Sequence, residues 1–382
     1  MPLAYLLASL LAGLAVAARE WASDGQRGGP LVYVGTYTND LSLGIYAFRF
    51  DPARGSLVPL GLAATTRNPS FLVSSADGRF LFAVNELSEF GGARSGSVTS
   101  FAIDGQTGKL RELSVQATRG ADPCHLALDR TGRFLAVANY TGGSVAVLPL
   151  GNDGVLAPAV SVVQHEGRGA DPKRQEGPHA HQVLFSADNR FLIVSDLGLD
   201  RLVVYRFDAA TGGLTRQDPG GASLAAGTGP RHLAFHPDGS RAYVINELSS
   251  TITALEWDDR AGTFRVGPGV STLPAGFNGS NTTAEIEVHP GGRFLYGSNR
   301  GRDTIVVFAI GAQGELSLVE AEPAGGRSPR HFAMDLTGRW LVAANQGSGT
   351  LAVFRIDPKT GKLTSEGPAV SAGTPVCVLF VK

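Results

Sequence analysis

The chain has 382 residues, of which 43% are hydrophobic and 18% are charged, and its formal net charge at pH 7 is −1. This length exceeds that of an ordinary single-core domain unless the architecture is a barrel or a repeat, and the apolar fraction is sufficient for a buried core. The balanced charge and the lack of a basic block give no support for nucleic-acid binding. Two cysteines, Cys124 and Cys377, cannot make a disulfide framework, and the sequence leaves open whether they pair.

The N-terminus begins with an apolar run over residues 3–18, LAYLLASLLAGLAVAA, which closes on an A-x-A cleavage pattern. The run is short for a membrane span and no second apolar stretch follows it. It therefore predicts a signal peptide over residues 1–18 and a periplasmic or secreted protein with no membrane attachment after cleavage. No Lys or Arg precedes the run, so the alternative is a structural helix in a cytoplasmic protein. Residues 19–30, rich in glycine, predict a flexible leader before a single domain over residues 31–382.

From residue 31 onward one pattern recurs: a turn, a four-residue and mostly apolar strand, and then Asn or Asp. The copies read SSADGRFLFAVNE, DRTGRFLAVANY, SADNRFLIVSDL, HPDGSRAYVINE, HPGGRFLYGSNR and DLTGRWLVAANQ. The shared polar column is Asn85, Asn139, Asp196, Asn246, Asn299 and Asn345. An apolar strand precedes each copy, and a β-rich strand and a variable segment follow it. Four short strands at this spacing predict the blades of a β-propeller.

The two ends of the chain supply the parts of one further unit. Six full units lie between about residues 68 and 373, and residues 31–51 provide later strands without a first one. The tail from Thr374 to Val381 has the pattern of that missing first strand. A ring left open would expose a sheet edge. The sequence thus predicts an all-β, seven-bladed β-propeller with four-stranded antiparallel blades, closed by the C-terminal strand joining the N-terminal blade.

Candidate site residues come from the first two strands of each blade, because the first strand lines the central channel and ligands commonly sit at one channel mouth. The first strands contribute the adjacent pairs Ser70-Phe71, Cys124-His125, His181-Gln182, Arg231-His232, Ala284-Glu285 and Arg330-His331. Strand alternation predicts that one member of each pair faces the channel, without deciding which. The repeated Asn column predicts a cap of the strand end, bonded to backbone. The variable residues beside it, including Glu86, Glu247 and Arg300, are better ligand candidates.

Three segments indicate a protein family: GPRHLAFHPDGSRAYVINELSS, PHAHQVLFSADNRFLIVSDLGLDRLVVY and SPRHFAMDLTGRWLVAANQ. They resemble the lactonase family of seven-bladed propellers, which includes propeller-type 6-phosphogluconolactonases and a fungal carboxymuconate-lactonizing enzyme. The resemblance covers essentially residues 31–382. It implies a carboxylic-ester hydrolase that opens a small sugar (aldono) lactone with activated water at one channel mouth. The alternatives are an intramolecular lyase that forms a lactone, and an exported propeller that binds a carbohydrate or a protein without catalysis.

The resemblance also implies roles for individual residues. It implies that Glu247 is a general base or its orienting partner, that Arg231 binds an anion or the oxyanion, and that His181 shuttles a proton. The further residues expected to bind substrate are Glu86, His125, Asn246, Glu285, Arg300 and Arg330. For Glu285 and Arg300 the alternative is an ion pair between them. His232 and His331 recur at equivalent positions, which favours a structural role.

Metal and cofactor signals are weak. The pair His179 and His181 could bind a transition metal, but no nearby Cys or carboxylate completes a known spacing. No nucleophile elbow, phosphate loop or nicotinamide fingerprint is present, so no cofactor is expected. The charged, glycine-rich loops over residues 86–97 and 164–177 are expected to project at a propeller face, where they could narrow access. An exported protein would not meet cytoplasmic 6-phosphogluconolactone, so the sequence does not decide whether the substrate is phosphorylated. It also does not decide the oligomeric state.

Overall fold

The computed structural model describes residues 29–217 and 220–381. The predicted signal peptide and residues 19–28 of the predicted leader lie outside these residues. The last two leader residues, Gly29 and Pro30, are held against the strand that contains Arg49 and Phe50: the Arg49 Nη1 donates to the Gly29 carbonyl at 3.1 Å, and the Phe50 N–H donates to the Pro30 carbonyl at 3.0 Å. Within the described residues no helix is long and apolar enough to span a membrane.

The strands form seven sheets, numbered here as blades. Blade 7 begins with β1 (Leu31–Thr36), β2 (Gly44–Asp51) and β3 (Ser56–Thr65). Blade 1 contains β4 (Leu72–Ser74), β5 (Phe80–Asn85), β6 (Ser97–Ile103) and β7 (Leu110–Ala117). Blade 2 contains β8 (Pro123–Leu128), β9 (Phe134–Asn139), β10 (Ser144–Pro149) and β11 (Ser161–Gln164).

Blade 3 contains β12 (Ala180–Phe185), β13 (Phe191–Asp196), a 3-10 turn (Leu197–Leu199), β14 (Arg201–Asp208), β15 (Gly213–Arg216) and β16 (Ala222–Ser223). Blade 4 contains β17 (Pro230–Phe235), β18 (Arg241–Asn246), β19 (Thr251–Asp258) and β20 (Thr263–Ser271). Blade 5 contains β21 (Thr282–Val288), β22 (Phe294–Arg300), β23 (Thr304–Ile310) and β24 (Leu316–Pro323). Blade 6 contains β25 (Pro329–Met334), β26 (Trp340–Asn345), β27 (Thr350–Ile356) and β28 (Leu363–Ser371). The last strand, β29 (Pro375–Val381), completes blade 7.

The ring closes as the sequence predicts. The strand β29 pairs antiparallel with β1, in a register that runs from Leu31 opposite Val381 to Thr36 opposite Pro375. The first strand of each blade contacts the first strand of the next, from β4 through β8 and onward to β29 and back to β4. The seven-bladed propeller with four-stranded antiparallel blades is therefore confirmed. In blade 3 the fourth strand is in two pieces, β15 and β16, which both pair with β14.

The hydrophobic core is a ring of interfaces between neighbouring blades. Each of the seven neighbouring pairs encloses its own cluster of buried apolar side chains. At the interface of blades 6 and 7, Phe50 meets both Trp340 and Phe380 edge to face, with ring centroids 6.0 Å and 5.4 Å apart. Burial on both sheet faces explains why the second strands read as apolar runs and not as alternating patterns.

The recurrent turn between the first and second strands has a conformational requirement. One residue in each copy has a φ angle between 64° and 77°, and these residues are Gly78, Gly132, Asn189, Gly239, Gly292 and Gly338. This left-handed conformation is accessible to Gly and tolerated by Asn. The turn column seen in the sequence is therefore a backbone requirement of the hairpin.

The Asn column caps the ends of the second strands, as predicted. The side-chain amides of Asn85, Asn139, Asn299 and Asn345 donate to the carbonyls of Arg67, Thr118, Thr272 and Ala324, respectively, at 2.6–3.2 Å. Each bond ties a strand end to the segment by which the chain enters the same blade. Asn246 differs, because its amide donates to the hydroxyls of Thr251 and Thr253, both at 2.9 Å.

Candidate active site

Five of the seven first strands carry a β-bulge where they reach the channel mouth. Their register with the second strand shifts at Pro123/His125, Ala180/Gln182, Pro230/His232, Thr283/Ile286 and Pro329/His331. At a bulge, two consecutive residues of one strand lie opposite a single residue of the partner strand, and the directions of their side chains change. Both Arg231 and His232 therefore reach the same chamber in the channel. The expectation that only one member of each pair faces the channel is wrong here, because the bulge interrupts the alternation.

Two connected spaces lie at this end of the channel. The larger, the mouth cavity, has a volume of about 350 Å³ and is lined by Glu86, Cys124, Tyr140, Arg174, His181, Glu247, Thr282, Arg300 and Arg330. The smaller, the inner chamber, has a volume of about 10 Å³ and is lined by Ser70, Phe71, Glu86, Cys124, His181, Arg231, His232, Arg330, His331 and Val376. The mouth cavity is large enough for a small ligand (roughly 300–1,000 Å³), and the inner chamber is about the size of one water molecule.

Glu247 binds three arginines: it accepts hydrogen bonds from Arg174 and Arg231 and forms an ion pair with Arg300. Its Oε1 lies 2.6 Å from Arg174 Nη2, and its Oε2 lies 3.1 Å from Arg231 Nε and 2.9 Å from Arg300 Nη2. Burial alone would raise the pKa of Glu247, but the charges of Arg300 and Arg231 and the hydrogen bond from Arg174 outweigh burial and lower it to about 2. Glu247 is thus an ionised anchor for three guanidinium groups and a weak base.

Glu86 has a different environment. The Tyr37 hydroxyl donates to its Oε1 at 2.8 Å, and the same hydroxyl accepts from Arg330 Nη2 at 2.9 Å. Burial raises the pKa of Tyr37, so the phenol keeps the proton that it donates. The second oxygen, Oε2, is buried and has no hydrogen-bond partner among the described residues. One oxygen of Glu86 is therefore fixed, and the other is free beside both spaces.

His181 lies between the mouth cavity and the inner chamber. Its Nδ1 is 3.9 Å from the Cys124 thiol, and its ring meets those of Tyr140 and His232 edge to face. Burial, together with the charges of Arg231 and others, holds the pKa of His181 well below its ordinary value, so the imidazole is neutral at neutral pH. Burial likewise raises the pKa of the Cys124 thiol, which stays protonated.

A cluster of aromatic and imidazole rings adjoins the inner chamber. The ring of Phe71 lies 4.1 Å from that of His125, 5.9 Å from that of His232 and 5.4 Å from that of His331, measured between centroids. Glu285 Oε2 binds this cluster, 3.0 Å from His232 Nδ1 and 3.2 Å from His331 Nε2. His125 thus belongs to this cluster and Glu285 binds it, and neither residue lines the mouth cavity or the inner chamber.

The structure brings most of the predicted residues together and separates others. His181, Arg231, Glu247, Glu86, Arg300 and Arg330 line the mouth cavity or the inner chamber. Asn246 lies outside both spaces, held by its threonine partners. The alternative of an ion pair between Glu285 and Arg300 is wrong, because Arg300 binds Glu247 while Glu285 binds two histidines.

The His-x-His pair is divided by the bulge in β12. His179 stacks on Tyr140 at 4.5 Å and lies 3.4 Å from Glu176 Oε1, whereas His181 points to the inner chamber. No group of three or more His, Cys, Asp or Glu side chains in residues 29–217 and 220–381 is arranged to hold a metal ion. Both cysteines are buried and free.

Sequence reasoning missed two residues of the site. Tyr37 directly follows β1, so it occupies in blade 7 the position that Glu86, Glu247 and Arg300 occupy in theirs, and aligning the seventh blade would have found it. Arg174 comes from the loop 164–177, which was expected to project at a propeller face. This loop does reach the mouth, where Arg174 Nη2 also lies 3.3 Å from the Tyr140 hydroxyl. No repeat position marks Arg174.

Comparison with known proteins agrees with this architecture. A family model described as a lactonase, seven-bladed β-propeller, matches residues 31–380. The chain is 39% identical over 350 residues to the 6-phosphogluconolactonase of Bacillus subtilis, covering 91% of this chain and 97% of that protein. It is 33% identical over 343 residues to the 6-phosphogluconolactonase of Formosa agariphila, covering 87% of this chain and 94% of that protein.

A solved structure is similar along its whole length. The periplasmic gluconolactonase of Pseudomonas aeruginosa superimposes with a TM-score of 0.87 at 39% sequence identity, covering 93% of this chain and 99% of that chain. The match extends through all seven blades and therefore includes the strands that form the channel mouth. Together with the family match, it establishes that the chain belongs to the lactonase family of seven-bladed β-propellers.

Proposed function

We propose that this protein is a lactone hydrolase that opens a negatively charged sugar lactone with water in the mouth cavity. Family membership supports the reaction, since named relatives are 6-phosphogluconolactonases and a gluconolactonase. Lactone hydrolysis needs a water molecule next to an ester carbonyl and a positive group for the oxyanion that forms. The mouth cavity and the inner chamber together supply a space for the lactone, a space for water and several cations.

The proposal rests on the position of the Arg330 guanidinium. It lines both spaces and donates to the Tyr37 hydroxyl, but it makes no ion pair with a carboxylate in the part of the chain that the structure describes. Burial opposes the charge of Arg330, but Tyr37, Glu86 and Glu247 outweigh burial and raise its pKa, so the guanidinium stays charged with no carboxylate bound to it directly. In the proposed reaction this charge is met by the oxyanion of the opening lactone, which forms beside the inner chamber.

The other arginines suit an anionic substituent on the substrate. Arg174 and Arg300 line the mouth cavity beside Arg330, and the carboxylates that line it among the described residues are Glu86 and Glu247. Burial lowers the pKa of Arg300 to about 10, which leaves it charged at neutral pH. Arginine is the preferred partner for phosphate and carboxylate groups. A phosphorylated sugar lactone is therefore the first substrate to test, with its unphosphorylated counterpart as the comparison.

The roles proposed for His181, Arg231 and Glu247 follow from their contacts. Glu247 orients Arg174, Arg231 and Arg300 and does not act as the base, because a carboxyl with a pKa of about 2 accepts protons poorly. Arg231 adds positive charge at the floor of the inner chamber. His181, neutral and at the boundary of both spaces, is placed to carry a proton toward the leaving oxygen.

The test compares wild type with Arg330→Met on 6-phosphoglucono-δ-lactone and glucono-δ-lactone, with the spontaneous rate subtracted. Arg327→Met is the matched control, because Arg327 is an exposed arginine of the same blade. We expect Arg330→Met to lower kcat/KM by about 10²–10³-fold, the usual effect of removing an oxyanion donor, and Arg327→Met to match wild type. A wild-type protein without activity above background on either lactone would contradict the proposal.

We further propose that residues 1–18 direct export. The apolar run with its A-x-A pattern supports this, as does the similarity to the periplasmic gluconolactonase of Pseudomonas aeruginosa. Cell fractionation followed by N-terminal sequencing of the mature chain tests it. Recovery in the periplasm or the medium with a start near residue 18 is expected, and full-length protein confined to the cytoplasm would refute export.

A further inference from the structure

We propose that Glu86 is the general base of the reaction and that it activates a water molecule held in the inner chamber. This assignment rests on the proposed lactone hydrolysis and names the group that performs its first chemical step. It differs from the role implied by family resemblance, in which Glu247 is the candidate base.

The inner chamber has the size and the polar groups that a single water molecule needs. Its volume is about 10 Å³, and a buried water usually makes two to four hydrogen bonds. Two buried oxygens at this chamber, Ser70 Oγ and Glu86 Oε2, have no hydrogen-bond partner among the described residues. A water bound there would donate to Glu86 Oε2 and contact the Ser70 hydroxyl.

Glu86 also lies on the path between the two spaces. It lines the mouth cavity and the inner chamber, as do Cys124, His181 and Arg330. A lactone carbonyl at this boundary would therefore have the bound water on one side and the Arg330 guanidinium nearby. Nucleophile, base and oxyanion donor then meet at one place.

The remaining groups at the boundary are poor bases. Both oxygens of Glu247 are occupied by arginines. Burial holds the pKa of His181 well below its ordinary value and raises that of the Cys124 thiol. Glu86 is the one carboxylate lining these spaces, among the described residues, that keeps an oxygen free.

A hydrogen-bonded chain positions Glu86 for this step. Arg330 Nη2 donates to the Tyr37 oxygen, and the Tyr37 hydroxyl donates to Glu86 Oε1. The Arg330 guanidinium also lies 5.2 Å above the Tyr37 ring. Tyr37 is thus a positioning residue, which holds Oε1 so that Oε2 faces the chamber.

Glu86 first accepts and later returns one proton during this reaction. Glu86 Oε2 takes a proton from the water, whose oxygen bonds to the carbonyl carbon and pushes the π electrons onto the carbonyl oxygen beside Arg330. Collapse of this oxyanion breaks the bond between the acyl carbon and the ring oxygen. The ring oxygen leaves with the proton returned by Glu86, directly or through His181, and the product is the open hydroxy acid.

The test compares wild type, Glu86→Gln, Glu86→Ala and Glu89→Gln on the lactone that wild type hydrolyses faster. Glu89 is an exposed carboxylate three residues away and is the control. Glu86→Gln, which keeps the shape of the side chain, is expected to lower kcat by about 10²–10⁴-fold with KM changed less than about threefold. Added formate is expected to restore part of the activity of Glu86→Ala, because a small carboxylate replaces the missing base.

Several outcomes separate this inference from the proposed function. If wild type hydrolyses a lactone and Glu86→Gln keeps kcat within about threefold, Glu86 is not the base although the protein is a lactonase. Loss of activity in a folded Glu86→Ala that formate does not restore also overturns the assignment. If wild type hydrolyses no lactone, the proposed function and this inference fail together. Tyr37→Phe supplies a second variant, for which we expect a kcat loss of about tenfold.

Discussion

Glu247 shows how a single carboxylate can hold a channel mouth together. Its arginine partners come from a loop of blade 3, the first strand of blade 4 and the second strand of blade 5. Removing one member of a buried ion pair leaves the other charges unpaired, which typically costs about 3–5 kcal/mol. We expect Glu247→Gln to lower the free energy of unfolding by about 3 kcal/mol at pH 7, measured by urea denaturation.

The pH dependence of this effect has a definite sign. The pKa of Glu247 falls from its ordinary value of 4.5 in the unfolded chain to about 2 in the folded protein. Its contribution is therefore complete above about pH 5 and disappears as the pH falls toward 2. The difference between wild type and Glu247→Gln should shrink along this range. Glu256→Gln, which breaks an exposed pair with Arg265, is the control and should cost less than about 1 kcal/mol at any pH; an equal cost would refute the anchoring role.

Asn246 and Asn345 allow a structural role to be separated from substrate binding. Both are fully buried at the end of a second strand, and both use the amide for internal hydrogen bonds. We expect Asn246→Ala and Asn345→Ala to lower the free energy of unfolding by similar amounts, about 1–3 kcal/mol each, in thermal or urea unfolding. If Asn246→Ala instead raised KM and left the free energy of unfolding unchanged, Asn246 would be a substrate-binding residue.

At the scale of elements, the bulges decide what the channel contains. Regular alternation would have directed either Arg231 or His232 toward a neighbouring sheet. The bulge turns both into the channel, so that Arg231 and His232 both line the inner chamber. Alternation is a property that a sequence pattern reveals, whereas a one-residue bulge changes the register without changing the pattern. The residue pairs could therefore be found from the sequence, but their orientation could not.

The loop that carries Arg174 is a second such element. Gln175 is fully buried and anchors it, because its amide nitrogen donates to the Leu197 carbonyl and to Asp200 Oδ1, both at 2.8 Å. Arg174 is thereby held at the cavity, with its side chain 39% exposed. We expect Arg174→Ala to raise KM for the phosphorylated lactone about tenfold or more, the effect of losing a charged hydrogen bond, and to change KM for the unphosphorylated lactone much less.

Arg168→Ala is the control for this experiment, since Arg168 is an exposed arginine of the same loop. Steady-state kinetics on both lactones give the comparison. An equal rise in KM for the two substrates would mean that Arg174 shapes the cavity without recognising the anion.

At the scale of the molecule, the fold could be predicted almost completely from the sequence. Each blade is made of local hairpins, and the turn position held by Gly78 and Asn189 has to be filled by residues that tolerate a left-handed backbone. Such a requirement repeats visibly along the chain. The site depends on contacts between different blades, such as those from Arg174 to Glu247 and from Tyr37 to Glu86. No local pattern records which loop reaches which strand, so these pairs emerged only from the structure.

Ring closure is the feature on which the whole molecule depends. The strand β1 is buried along its full length, and β29 covers one of its edges. Deleting residues 375–382 exposes that edge, so we expect a lower melting temperature and association into larger species, measured by thermal unfolding and by light scattering. Adding a synthetic peptide of residues 374–382 should reverse both effects. A truncated chain that stays monomeric with an unchanged melting temperature would contradict this expectation.

The hydrogen-bonded chain from Arg330 through Tyr37 to Glu86 lies on both sides of the seam where the ends of the polypeptide meet. Tyr37 directly follows β1, and the blade that contains it is completed by β29, which lies at the other end of the propeller domain in sequence. A chain without β29 therefore keeps Glu86 and Glu247 but lacks the strand that completes the blade of Tyr37. We therefore expect the proposed lactone hydrolysis to require that β29 is paired with β1.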